Sequence, residues 1–109
     1  MKIPKGLQFQ IKISLIDLGS KIVPISKIGD FTLKYYIDDP EDYFVAYRQG
    51  VTMVNCEIIK DEIIVTHNYT YQNVGPLKCR MEFDLIDEVL PEEPFTFNCP
   101  EQRTEIEII

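Results

Sequence analysis

The chain has 109 residues, 45% of them hydrophobic and 27% charged, and carries a formal net charge of −7. That length holds one core and not two, and the composition is that of a globular chain rather than a disordered one. The acidic balance speaks against nucleic acid and anionic membrane surfaces as partners, since both attract clustered Lys and Arg; no apolar run approaches the roughly 18 residues of a helical membrane span.

The first ten residues, Met-Lys-Ile-Pro-Lys-Gly-Leu-Gln-Phe-Gln, lack the apolar stretch and small-residue cleavage site of an export signal. Synthesis and folding in a reducing cytoplasm is therefore the expectation. The three cysteines agree with it: Cys56, Cys79 and Cys99 are odd in number and lie at least 20 positions apart, with no Cys-x-x-Cys pair among them. Free thiols are expected, and no disulfide.

In chain order, residues 7–15 alternate Leu7, Phe9, Ile11, Ile13 and Leu15 with Gln8, Gln10, Lys12 and Ser14. A period of two is that of a strand with one buried face. The turn Asp17-Leu18-Gly19-Ser20 ends it, and residues 21–25 offer a short strand that Pro24 confines to an edge. Gly29-Asp30 opens a second clear strand, with Phe31, Leu33, Tyr35 and Ile37 on one face. The turn Asp38-Asp39-Pro40-Glu41-Asp42 closes it. Residues 43–48 are apolar on both faces, as a central strand is, and Gln49-Gly50 turns the chain into residues 53–59, with Val54, Cys56 and Ile58 inward. Lys60-Asp61 reads as a tight hairpin to residues 63–67, and residues 68–73 as a polar, aromatic loop.

Residues 77–85 carry the cleanest signal. Leu77, Cys79, Met81, Phe83 and Leu85 alternate strictly with Lys78, Arg80, Glu82 and Asp84. One face needs a core and the other wants water, as in an antiparallel sheet covered on one side. Residues 86–94 form a loop, and residues 95–98 and 104–109 complete the count. The fold class that follows is all-β: one domain over residues 1–109, a single antiparallel β-sandwich of about eight or nine short strands.

No cluster reads as a catalytic site, and no cofactor or metal set is assigned. His67 continues the inward phase of Ile63 and Val65 and is expected to be a hydrogen-bonded strand-end histidine. The serines, at 14, 20 and 26, stand outside any nucleophile elbow. The carboxylates fall in turns and on polar strand faces, and Asp38 to Asp42 lack the spacing of a calcium loop. Asn68-Tyr69-Thr70 matches a glycosylation sequon, by chance in a chain without an export signal. A non-enzymatic role is expected. Two surfaces are candidates for contact. Tyr69 and Tyr71 could form an aromatic platform for a carbohydrate or peptide. Glu105, Glu107 and Ile109 lie on a final strand with no following segment to cover its edge, which invites self-association.

Several stretches resemble a small β-sandwich module of phage and prophage tail and baseplate proteins, in the style of an upper-baseplate N-terminal domain. They are Phe31-Thr32-Leu33-Lys34-Tyr35-Tyr36, Tyr43-Phe44-Val45-Ala46-Tyr47, Asn55-Cys56, Ile63-Ile64-Val65, Gly75-Pro76-Leu77-Lys78-Cys79 and Thr104-Glu105-Ile106-Glu107-Ile108. The order is kept over residues 30–109. Pro91-Glu92-Glu93-Pro94 stands where that family shows a Pro-Asp-Gly turn. The resemblance implies a structural, virion-associated piece whose partners are further copies of itself or other tail and baseplate proteins.

Overall fold

The computed structural model describes residues 1–15, 23–68, 71, 73–86 and 95–109. Nine strands run through them: β1 (Lys2–Ile3), β2 (Phe9–Ile13), β3 (Ile28–Tyr36), β4 (Phe44–Gln49), β5 (Thr52–Val54), β6 (Cys56–Ile59), β7 (Glu62–His67), β8 (Gly75–Leu85) and β9 (Phe95–Ile108). No α-helix occurs among the described residues. A single 3-10 turn, Ile25–Lys27, follows Pro24 where an edge strand was expected. Residues 16–22, all of the expected early turn and the start of that strand, lie outside the described residues, as does 87–94 of the expected loop.

Six strands form one sheet in the order β1-β9-β8-β3-β4-β5, and three form the other in the order β2-β7-β6. The two pack as a β-sandwich. Phe31, Leu33, Tyr35, Phe44, Ala46, Leu77 and Met81 of the larger sheet meet Ile63 and Val65 of the smaller in one continuous core. Residues 77–85 keep the expected phase, with Leu77 and Met81 buried and Arg80 and Glu82 exposed. The pairings are antiparallel throughout except for β1, which runs parallel to β9.

Two departures from the pattern reading shape the molecule. Residues 53–59 are not one strand. The chain leaves the larger sheet after Val54, turns at Asn55 with φ of +59°, and enters the smaller sheet at Cys56. Asn tolerates this left-handed backbone better than most residues. Its side-chain amide donates to the Val45 carbonyl at 3.0 Å, and its own carbonyl accepts from Thr66 N at 2.9 Å, so one residue ties both sheets. Lys60, at φ +57°, then makes the expected two-residue hairpin into β7.

The second departure is β9, continuous from Phe95 to Ile108 where two short strands were expected. It accommodates Pro100 by slipping register against β8: Cys79 pairs with Gln102 but Met81 with Cys99, so β9 carries an extra residue there. A second slip lies between Pro76 and Lys78, where the Thr104 hydroxyl donates to the Leu77 carbonyl at 2.8 Å. A third bulge, at Gly29-Asp30 in β3, is held by the Arg48 guanidinium, which donates to the carbonyls of Ile28 and Gly29.

Candidate functional site

The two sheets are unequal in width, and the difference makes the site. The smaller sheet stops at β2, while β8 and β9 continue beneath it. Between them runs a groove of about 700 Å³. Ile11, Ile13 and Leu15 form one wall, Leu33, Tyr35 and Met81 the floor, and Cys99 and Ile106 the far side. The chain's own alternation accounts for its apolar character, because each of these strands directs its inward residues into a space that no further strand fills among the described residues.

Polar chemistry in the groove is sparse and held neutral. Tyr35 is fully buried, with its hydroxyl beside the Cys79 thiol and closed off from the groove. Burial, reinforced by the Cys79 thiol beside it, pushes that phenol well above its usual range. Cys79 Sγ instead lies 3.7 Å from the Arg80 carbonyl, and burial pushes its thiol up to about 11. Burial also raises the Cys99 thiol. All three cysteines are free, as expected. The rim carries Lys12 and Arg103, with Glu105 as its carboxylate.

His67 lies behind this floor. Its ring stacks on Phe9 at 4.6 Å between centroids, meets Tyr35 edge-on at 4.4 Å and tilts against Phe44 at 4.7 Å. The expectation of a hydrogen-bonded histidine is corrected, since neither ring nitrogen has a partner among the described residues. The aromatic enclosure replaces water without offering an acceptor, and desolvation lowers the imidazole to about 4. His67 is inaccessible to any substrate.

Of the residues expected at contact surfaces, Tyr69 lies outside the described residues. Tyr71 is 4% exposed and belongs to the core, so it is no platform. The gain from burying a whole aromatic ring explains its inward choice. Tyr36 is likewise buried, with its hydroxyl donating to the Glu101 carboxylate. Burial and that bond push the Tyr36 phenol up to about 12.

The open edge expected at Glu105, Glu107 and Ile109 is also corrected. Although Glu105 and Ile109 are exposed and Glu107 half-buried, β1 lies along this stretch, pairing Lys2 with Glu107 and Ile3 with Ile108. Glu107 N donates to the Met1 carbonyl and Ile109 N to the Ile3 carbonyl, each at 2.9 Å. Backbone donors there are satisfied by the start of the same chain. The edge left without a neighbour among the described residues is the other half of β9, where Phe95 and Phe97 are 60% and 46% exposed.

The groove itself was not foreseen. Each of its residues reads locally as an ordinary inward strand position, and only the unequal strand count of the two sheets creates the gap. Among the described residues, no group of three or more His, Cys, Asp or Glu side chains could hold a metal ion, and no helix is long and apolar enough to cross a membrane. Comparison with protein-family models, curated proteins and solved structures returns no match for this chain.

Proposed function

We propose that this chain is a non-enzymatic assembly module, a β-sandwich that joins a second copy of itself through the uncovered half of β9. The observation that carries the reading is the stretch Phe95-Thr96-Phe97-Asn98-Cys99-Pro100. In a chain of net charge −7 it bears no charge, it exposes two phenylalanines, and among the described residues it pairs with β8 alone. Two copies related by a two-fold axis near Phe97 would bring no like charges opposite each other, and each would supply the other's missing strand. The Phe83–Phe97 stack, at 5.5 Å between centroids, stiffens the surface for such a contact.

The state of the reactive side chains supports binding over catalysis. At neutral pH the Cys79 thiol is protonated, and the imidazole of His67 is neutral and sealed off. The resemblance to phage-tail modules gives assembly a setting, in which the partners are copies of this chain or neighbouring tail proteins within a virion.

Light scattering at milligram-per-millilitre concentration tests the reading. A concentration-dependent dimer is expected, and Phe97→Glu should return it to monomer, at a cost of about 1 kcal/mol from the lost stack on Phe83. A monomer at every concentration would overturn it.

A further inference from the structure

Among the described residues β2 pairs with β7 and with no second strand, and its other edge borders the groove. The volume, about 700 Å³, lies within the rough 300–1,000 Å³ of ligand sites. One missing strand beside β2, at the usual inter-strand spacing of about 4.8 Å, would extend the smaller sheet over β8 and β9. A second folded copy offering its own β2 would meet the overhanging β8 and β9, whereas a single extended segment would not.

Two features define what such a segment carries. The rim cations Lys12 and Arg103 outnumber the rim carboxylate Glu105, although the whole chain is strongly acidic. Above the fully buried Leu33 and Tyr35 the lining is apolar, with Ile11, Ile13, Met81, Cys99 and Ile106 around the open space.

We infer that the groove takes an extended segment of a partner protein as an added strand on β2, with apolar side chains directed inward and acidic ones outward toward Lys12 and Arg103. Main-chain pairing supplies affinity and the alternating side chains supply specificity, as in other strand-addition complexes. The inference rests on the assembly reading only in taking a protein as the partner.

The probe is a short fluorescein-labelled peptide alternating Val and Glu, and its binding is followed by anisotropy on the full chain. Saturable binding is expected, and replacing every Glu by Lys should abolish it. Replacing every inward Val by Ser should weaken binding at least about tenfold, because the groove lining is apolar. Lys12→Glu combined with Arg103→Glu, both at exposed positions, should reverse the preference from Glu to Lys peptides. Three results would each overturn the inference: equal binding of the Glu and Lys peptides, equal binding of the Val and Ser inward versions, or uptake of an anilinonaphthalene sulfonate dye that no peptide displaces. The last would mark a small-molecule site. Groove variants should leave the light-scattering dimer intact, and an unsubstituted chain that dimerises but binds no peptide counts against this inference and not against self-association.

Discussion

An imidazole enclosed by three aromatic rings has its charge state fixed by its surroundings, and at His67 this couples stability to pH. The folded-state value is lowered to about 4 from an ordinary 6.5, with burial as the cause. The unfolded chain therefore binds the proton first as pH falls. The contribution of neutral His67 is fully present above about pH 6.5 and is lost progressively down to about pH 4, a change of order 3 kcal/mol. Urea titrations at pH 7, 5.5 and 4 should show this slope, and His67→Phe should flatten the His67 share of it. An unchanged slope in the variant would mean that the ring is not enclosed as described. Adjacent positions on β8 give a second residue-scale test. Cys79 faces the groove with its thiol held protonated, while Arg80 faces water. Cys79→Asp should cost about 2–4 kcal/mol, and Arg80→Asp about 0.5 kcal/mol. Equal midpoints in urea would reverse the strand phase on which the whole core assignment rests.

At the scale of elements, the corner at Asn55 and the short strand β1 matter more than their size suggests. Asn55 combines a left-handed backbone with a side-chain bond to Val45. Asn55→Ala loses both the conformational tolerance and the bond, at about 2 kcal/mol, whereas Asn55→Gly relaxes the backbone and loses mainly the bond, at about 1 kcal/mol. Thermal melts that rank Ala as milder than Gly would remove the corner as a constraint. For β1, deleting residues 1–5 strips the parallel ladder from β9 and the buried Ile3 from the core. A loss of about 2–4 kcal/mol is expected, together with light-scattering species larger than a dimer, because a long edge is then open. These elements also mark the limits of what the chain's pattern reveals. Alternation in 7–15, 31–37 and 77–85 announces strands and their inward faces, because a period of two is a local property. It cannot tell which sheet a strand joins. So Val54 and Cys56 both read as inward, yet belong to different sheets, and nothing between them except one Asn signals the crossing. Two residues, Lys2 and Ile3, are too few to show any period, which is why the cover on β9 was missed and an open edge assigned to 104–109. Tyr71 was misread for a related reason: a loop aromatic looks the same in sequence whether it faces solvent or core.

For the whole molecule, the uneven distribution of an acidic total charge separates the two contact surfaces. The free half of β9 is uncharged between Phe95 and Pro100, but each copy still carries a net charge of −7 into a dimer. Long-range repulsion between the copies opposes association at low ionic strength, and salt screens it over a Debye length of about 10 Å at 0.1 M. The dimer should therefore tighten as salt rises. The groove behaves in the opposite sense. Lys12 and Arg103 face an acidic segment across a solvent-exposed rim, so their attraction is screened and peptide binding should weaken as salt rises. Measured on one sample series, light scattering and peptide anisotropy should move in opposite directions between low and moderate sodium chloride. Movement in the same direction would show that the two surfaces are not electrostatically distinct. If both weakened, the dimer contact would have to involve charged residues beyond the neutral stretch of β9. If both strengthened, the peptide would be held by its apolar side chains alone, without help from the basic rim.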